Sequence, residues 1–172
     1  MSVLTKNKIL EEIKAGKIKI EPFDKESVGP GSVDLTLGET FRFFKRQNKV
    51  YKVTDEADFK EITEVVTLKN GRSLLLKPGE TVLGVTKEKL TLPANICGRI
   101  EGRSRFARLG LGVHVTAGFI QPGVSNHQVL EITNLSPTPL SLVPGIKICQ
   151  VVFERCEGES VYKGKFKDQD RP

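Results

Sequence analysis

An arginine-rich segment and one isolated glutamate carry the clearest chemistry in this sequence. The segment reads Gly102-Arg103-Ser104-Arg105-Phe106-Ala107-Arg108-Leu109-Gly110, and Glu131 follows 27 positions after Ser104 (131 − 104). Guanidinium groups bind phosphate oxygens in pairs, and small residues let backbone amides approach them closely. These residue types therefore predict a polyphosphate site. A carboxylate has no use as an anion ligand among such cations, so we expect it to transfer protons.

Both interpretations have a plain structural alternative. The arginines could form a solvated basic loop, although Gly102, Gly110 and Gly112 suit a backbone that approaches a ligand. Glu131 shares one face of a predicted strand with Val129 and Thr133, opposite Leu130 and Ile132, and it could equally face solvent from an exposed sheet surface. As a general acid or base, it would gain from partial burial, which raises a carboxyl pKa, and from a nearby arginine that holds it in place.

The composition indicates one domain with anionic partners. The chain has 172 residues and no Gly/Ser/Pro-rich linker, so we predict a single domain over residues 1–172. Lys and Arg exceed Asp and Glu by six (27 − 21), and Arg99, Arg103, Arg105 and Arg108 fall within ten residues. Charge focused in this way favours a pocket over a nucleic-acid surface, which spreads its charge along a face.

Cysteine and histidine form no pattern that is typical of a metal site. The three cysteines make no Cys-x-x-Cys pair and the two histidines stand alone, so we expect no zinc. Residues 1–8 lack an apolar signal segment, and no apolar run approaches the roughly 18 residues of a membrane helix. We expect a cytoplasmic protein that binds neither membranes nor nucleic acid.

The elements that must position these residues are mostly short strands. One helix is predicted over Lys6 to Ala15, with Thr5 as its cap and Gly16 as its end. After it the apolar period changes to two, first in Ser32 to Leu37 and then in apolar runs of strand length between residues 74 and 153. Many short strands with Gly/Pro turns and one helix predict an all-β sandwich or barrel.

Four segments are harder to interpret. Leu74 to Gly79 is similar to Leu140 to Gly145, and we favour two separate hairpins over an internal duplication. Lys45 to Glu64 shows no sustained period and predicts no role. Residues 157–172 are polar and basic, which is typical of a mobile tail that could close over a ligand.

Taken together, these motifs resemble the dCTP deaminase family, whose members are trimeric relatives of the trimeric dUTPases. The opening from Leu4 to Gly38, with its short helix and the stretch Gly31 to Gly38, is similar to the start of the family. Gly102 to Gly110 is similar to its Gly-Arg-Ser-Ser-x-Ala-Arg-Leu-Gly signature. His114 to Ala117 and Val129 to Glu131 complete the central pattern. The resemblance implies a homotrimer with a distorted jelly-roll or β-barrel of the trimeric dUTPase-like type and one short N-terminal helix.

The resemblance also implies roles for individual residues. Glu131 would be the catalytic proton shuttle, while Ser104, Arg108 and the backbone carbonyl of Ala117 would position the attacking water. Residues 157–172 would form a mobile lid over the nucleotide. The substrate-binding residues implied in this way are Arg103, Ser104, Arg105, Phe106, Ala107, Arg108, Gln121, Val129, Leu130, Glu131, Tyr162, Lys165 and Gln169.

The implied reaction is the hydrolytic deamination of dCTP to dUTP and ammonia, at a cyclic amidine C–N bond. One carboxylate can accept the proton of water and deliver protons to the ring nitrogen and to departing ammonia. Zinc deaminases instead carry a His-x-Glu and Pro-Cys-x-x-Cys set, which this sequence lacks. Magnesium would arrive on the triphosphate and not on protein side chains. The related nucleotides dUTP and dTTP are further candidate ligands.

Departures from the family pattern leave two alternatives open. Gln121 stands where the family commonly has the aspartate of Ile-Asp-Pro-Gly, and an amide is no base at neutral pH, so we weigh it against dUTP hydrolysis. Thr116 to Phe119 is similar to members that both deaminate and hydrolyse, so a dUTP diphosphatase or a bifunctional enzyme giving dUMP is the first alternative. The second alternative is a nucleotide-binding module without turnover. It is suggested by Arg105, which replaces the second serine of the signature, together with Gln121 and a short tail.

Overall fold

The computed structural model describes residues 2–69 and 71–172, in which β-strands predominate. In chain order, the helices and strands are α1 (Lys6–Lys14), β1 (Lys19–Glu21), β2 (Val33–Thr36), β3 (Thr40–Phe44), β4 (Thr63–Thr67), β5 (Leu74–Leu76), β6 (Thr81–Thr91), β7 (Ile96–Gly102), α2 (Ser104–Ala107), β8 (Leu111–Val113), β9 (Phe119–Ile120), β10 (Ser125–Asn134), β11 (Leu140–Leu142) and β12 (Lys147–Arg155). Two single 3₁₀ turns occupy Lys25–Ser27 and Phe59–Ile62.

The strands form three sheets. The largest runs in the order β4-β3-β6-β10-β8, with β1 pairing with β6 beside this path. A four-stranded sheet runs β2-β12-β7-β9, and β11 pairs with β5. The mostly β fold with a short N-terminal helix is confirmed, but within the described ranges the sheets stay open and do not close into a barrel.

One hydrophobic core joins the helix and the two larger sheets. Leu35, Phe41, Leu130, Ile132 and Phe153 are fully buried in it. In β10 buried and half-buried positions alternate from Ser125 to Asn134, because successive strand side chains point to opposite faces. This alternation keeps one face of β10 available for a site.

The helix α1 begins and ends close to the predicted positions. Thr5 is its N-cap by backbone position, although the Thr5 hydroxyl makes no capping hydrogen bond. The helix ends at Lys14, one residue earlier than predicted, and Gly16 follows with φ of +69°. Among the residues with described positions, no helix is both long and apolar enough to cross a membrane.

The prediction of two separate hairpins at the similar Leu-rich segments is wrong. Strands β5 and β11 pair with each other, with Leu76 opposite Leu140 and Leu74 opposite Leu142. The strand that follows each segment belongs to a larger sheet, so the Pro-Gly turns lead from one sheet into another. Leu74, Leu76 and Leu142 are buried, and the pairing therefore brings apolar side chains from distant parts of the chain into the core.

Candidate active site

Glu131 lies in the middle of β10 and lines a cleft of about 680 Å³. Its side chain is half-buried, on the face opposite the fully buried Leu130 and Ile132. The prediction that Glu131 lies on the strand face opposite Leu130 and Ile132 is therefore confirmed. The alternative of a glutamate on an open, solvated sheet face does not describe this position.

The loop from His114 to Ala117 wraps around the Glu131 carboxylate. Oε2 accepts hydrogen bonds from the backbone N–H groups of Val115 at 2.8 Å, Thr116 at 2.5 Å and Ala117 at 3.3 Å. The Thr116 hydroxyl donates to Oε1 at 2.7 Å. Four donors thus fix both oxygens of one carboxylate and leave its position little freedom.

These donors also set the charge of Glu131. Burial raises the pKa of Glu131, but the Thr116 hydroxyl and the backbone N–H groups of Thr116, Val115 and Ala117 together outweigh it, so the pKa lies below its ordinary value. Burial is the largest single influence on this pKa, as we expected. The described cationic side chains of the same chain include none within 4.0 Å of Glu131, so the arginine that we expected beside it does not come from the same protomer. Glu131 is therefore a carboxylate at neutral pH and can accept a proton.

The loop depends on an unusual backbone at His114. Its φ is +63°, the only positive value at a non-glycine residue in the described chain, and its N–H donates to the backbone carbonyl of Glu131 at 2.7 Å. The imidazole packs directly against Gly118, where a Cβ atom would lie 2.2 Å from His114 Cε1. Gly118 therefore makes room for the ring, and the strained residue turns the next three N–H groups toward Glu131.

The structure brings part of the predicted site together around this cleft. Six other predicted residues line the cleft with Glu131, namely Ala117, Gln121, Val129, Tyr162, Lys165 and Gln169. Residues that the sequence did not single out line it too, among them Arg42, Phe59, Asn126, Gln128 and Phe166. The side chain of Leu130 lies in the core instead.

The arginine-rich segment lies elsewhere on the same chain. Strand β7 ends at Gly102, and the single turn of α2 exposes Ser104, Arg105, Ala107 and Arg108, none of which lines the cleft. Phe106 is partly buried against the core. Within one protomer, the structure therefore does not bring this segment to Glu131.

Arg103 has its own partners in the fold. It forms an ion pair with Asp34 at 3.0 Å and donates to the backbone carbonyl of Lys147 at 2.7 Å. Both charged side chains are largely shielded from solvent. Arg103 thus links the end of β7 to the neighbouring strands. Part of its guanidinium group is already bound to Asp34 and to the Lys147 carbonyl.

The C-terminal segment, residues 157–172, lies along the cleft. The Tyr162 N–H donates to the carbonyl of Pro122 at 3.0 Å. Further along, Gln169 and His127 exchange two hydrogen bonds, each 3.2 Å long, through the His127 N–H and the Gln169 side-chain amide. These contacts place Tyr162, Lys165 and Gln169 at the cleft that contains Glu131.

The cleft combines a fixed base with cations and flat rings. Lys60, Lys165 and Arg171 line it along with the aromatic rings of Phe119 and Phe166, which are both exposed. Cations suit phosphate oxygens, and exposed rings suit a planar heterocycle. In the part of the chain that the structure describes, no cluster of three or more His, Cys, Asp or Glu residues could hold a metal ion.

Comparisons with known proteins show the family of this chain. A family model described as dCTP deaminase-like matches residues 3–156. A relative from Parafrankia sp. (strain EAN1pec), named "dCTP deaminase, dUMP-forming", is 40% identical over 178 residues, which cover 99% of this chain and 88% of the relative.

Solved structures show the same fold. The 2′-deoxycytidine 5′-triphosphate deaminase of Agrobacterium tumefaciens has a TM-score of 0.68 at 22% identity over 90% of this chain and 48% of that one, so the present chain spans about half its length. The dUTPase from phage phi11 of S. aureus has a TM-score of 0.51 at 12% identity, covering 86% of this chain and 96% of that one. The fold is thus dUTPase-like, and the family match over residues 3–156 together with the Parafrankia relative shows that this chain belongs to the dCTP deaminase-like family.

Proposed function

We propose that this chain catalyses the hydrolytic deamination of dCTP, with Glu131 as the proton shuttle. The observation that carries the proposal is the Glu131 carboxylate, which four donors hold in one orientation and keep ionised inside the cleft. A base with a lowered pKa is weak in water. Here it needs only to take a proton from a water molecule as that water attacks the ring.

One carboxylate can carry all the proton transfers that this reaction needs. Water attacks C4 of cytosine while Glu131 removes a proton from it and delivers that proton to the ring nitrogen N3. The tetrahedral carbon then expels its amino group, which receives the second proton through the same carboxylate and leaves as ammonia. The products are dUTP and ammonia. The carbonyl of Ala117, beside Glu131 in the cleft, is our candidate for holding the water.

Magnesium enters this scheme as part of the substrate. A triphosphate carries Mg²⁺ on its oxygens, with several waters completing the coordination. Lys165 lines the cleft at the rim formed by the C-terminal segment, where a phosphate chain could reach it. We propose that water activation belongs to Glu131 without zinc, since the His-x-Glu and Pro-Cys-x-x-Cys pattern of zinc deaminases is missing from the sequence.

We further propose that a second protomer completes the site, in a homotrimer. Ser104 and Arg108 are exposed on α2 and lie away from the cleft of their own chain. Next to them Leu109 and Leu135 are 58% and 73% exposed, and the Leu135 N–H donates to the Gly110 carbonyl at 2.8 Å. Exposed leucines beside a cationic turn suit a contact between subunits. Such a contact would bring Arg108 of one copy to Glu131 of the next.

Complementation tests this arrangement. Glu131→Gln and Arg108→Ala should each be inactive alone, whereas co-expression should restore activity. In a closed ring with random assortment, about a quarter of the sites combine an intact Glu131 with an intact Arg108. Co-expression of Arg108→Ala with the double variant Glu131→Gln/Arg108→Ala is the matched control and should restore nothing. Absence of complementation in the first pair would refute a site shared between protomers.

Formation of dUMP is a second candidate function. It is favoured by the name of the Parafrankia relative and by Gly118, which belongs to the Thr116 to Phe119 stretch similar to bifunctional members. Against it stands Gln121, which lines the cleft with an amide that cannot take a proton from water. If dUMP is the product, another group must activate the second water.

A product assay separates these functions. Purified protein is incubated with dCTP and, separately, with dUTP, and ammonia and pyrophosphate are measured in each reaction. Ammonia from dCTP without pyrophosphate supports the deaminase that forms dUTP. Pyrophosphate from either nucleotide supports formation of dUMP. Tight binding of dCTP without either product would identify a nucleotide-binding module and refute the proposed catalysis.

A further inference from the structure

Arg42 stands in line with Glu131 across three neighbouring strands. Arg42 of β3 is the direct partner of Leu83 in β6, and Leu83 is the direct partner of Glu131 in β10. Direct partners point to the same face of a sheet, and neighbouring strands lie about 4.8 Å apart, so the backbones at Arg42 and Glu131 are separated by about 10 Å. All three side chains line the cleft.

The Arg42 guanidinium group makes three contacts. Its Nε donates to the main-chain oxygen of Pro172 at 2.7 Å, and its Nη1 donates to the hydroxyl of Thr63 at 3.0 Å. The group also lies over the Phe59 ring, 5.1 Å from its centroid. No described Asp or Glu side chain lies within 4.0 Å of Arg42.

Phe59 and Thr63, which contact Arg42, belong to the segment Lys45 to Glu64, for which the sequence predicted no role. The Tyr51 hydroxyl bonds to both the N–H and the carbonyl of Asp58, each at 3.0 Å. The Asp58 side chain caps the following 3₁₀ turn, and the Thr63 hydroxyl donates to the Phe59 carbonyl at 2.7 Å. These bonds hold the backbone around Phe59 and orient the Thr63 hydroxyl. The Phe59 ring and the Thr63 hydroxyl are the two side-chain partners of Arg42.

On its other side, Arg42 holds the end of the C-terminal segment. Pro172 is buried, and the side-chain amide of Asn126 donates to the Phe166 carbonyl at 2.9 Å. The stretch from Phe166 to Pro172 is therefore held at both ends, by Asn126 and by Arg42. Gln169 lies between these two anchors, and Lys165 lies just before the first.

We propose that Arg42 is a positioning residue of the site, which fixes the C-terminal segment over the cleft so that Lys165 and Gln169 face the substrate. A planar guanidinium group can donate to Pro172 and Thr63 while it stacks on Phe59, whereas the single ammonium of a lysine cannot reproduce all three contacts. The kinetic consequence rests on the proposed function. The structural consequence does not, because it can be measured without any nucleotide.

Hydrogen exchange of the 172-residue chain tests the structural consequence. Arg42→Ala should raise the exchange rates of backbone amides between residues 166 and 171 by roughly tenfold, the size expected when a charge-assisted hydrogen bond is lost, while β6 and β10 stay protected. Arg42→Lys should give a smaller rise in the same amides. Arg46→Ala is the matched control, because Arg46 is exposed and does not line the cleft, and it should change nothing.

Steady-state kinetics on dCTP test the consequence for the site. In both Arg42 variants KM should rise, by roughly tenfold for Arg42→Ala, while kcat stays within about threefold, because the chemistry at Glu131 is not touched. A loss of general stability would instead expose amides throughout the sheets.

Each outcome bears on one of the two proposals. Unchanged exchange of residues 166–171 in both Arg42 variants would overturn the role of Arg42, whatever the enzyme does. If Arg42→Ala does not fold, Arg42→Lys decides the point by the same measurement. A third outcome is that exchange of residues 166–171 rises in the Arg42 variants while the wild-type protein releases no ammonia from dCTP. That result would support the role of Arg42 and refute the proposed deamination.

Discussion

Thr116 contacts both carboxylate oxygens of Glu131. Its N–H donates to Oε2 at 2.5 Å and its hydroxyl donates to Oε1 at 2.7 Å. One residue therefore sets the orientation of the proposed base and contributes to keeping it ionised. The strand positions Glu131, but the loop determines how that carboxylate can act.

Removing the Thr116 hydroxyl should loosen the orientation of the Glu131 carboxylate and raise its pKa. In Thr116→Val the backbone N–H remains but the side-chain donor is lost, so the pKa of Glu131 should rise toward its ordinary value. Activity requires the ionised form and falls as pH drops through this pKa. The acid limb of the pH profile should therefore move to higher pH, and kcat should fall roughly tenfold. Thr116→Ser retains the hydroxyl, and its profile should match that of the wild type. If the acid limb of the Thr116→Val profile does not move, this hydroxyl does not set the pKa of the catalytic base.

A methyl group at position 118 should disturb the loop through His114. In Gly118→Ala the new Cβ would lie 2.2 Å from His114 Cε1, so the imidazole or the backbone must move. We expect a loss of about 1–3 kcal/mol in the free energy of unfolding, measured with urea, and a lower kcat. In the control Gly29→Ala, the nearest atom to the new Cβ would be 3.5 Å away, an ordinary contact. Wild-type kcat in Gly118→Ala would show that catalysis does not depend on this packing.

A carboxylate at position 121 should favour cleavage of the phosphate chain. Gln121 is exposed and lines the cleft, so Gln121→Asp adds a group that can take a proton from water without a large change in packing. Pyrophosphate release from dUTP should rise by roughly a hundredfold, the scale of one general base, while ammonia release from dCTP changes little. Gln121→Asn is the matched control, because it shortens the side chain but keeps the amide. Equal pyrophosphate release by the two variants would show that position 121 does not limit this step.

Patterns within single segments predicted part of this molecule. The alternation in β10 placed Glu131 opposite the core, and the cap and stop residues located α1 almost to its last residue. Both predictions depend on local spacing, which a sequence displays directly. Tyr162, Lys165 and Gln169 also line the cleft, but only the resemblance to the family had implied their place.

Features that depend on distant segments could not be predicted in this way. The ion pair of Arg103 with Asp34 and the pairing of β5 with β11 arise only when remote segments meet. Arg42 lies beside the cleft because of the pairing register between β3, β6 and β10. No pattern within a single segment predicts that register. One hint was available in the sequence, since Gly118 follows four residues after His114 and leaves space for a ring.

The most direct test of the account is the comparison of Glu131→Gln with the wild type, for both dCTP binding and ammonia release. A glutamine can place its carbonyl oxygen where Oε2 accepts three N–H groups and turn its NH₂ toward the Thr116 hydroxyl, which can accept as well as donate. Calorimetry should therefore give a Kd for dCTP within a few-fold of the wild type, and ammonia release should fall by at least roughly a hundredfold. Ammonia release at the wild-type rate by a folded Glu131→Gln protein would contradict the central role of Glu131.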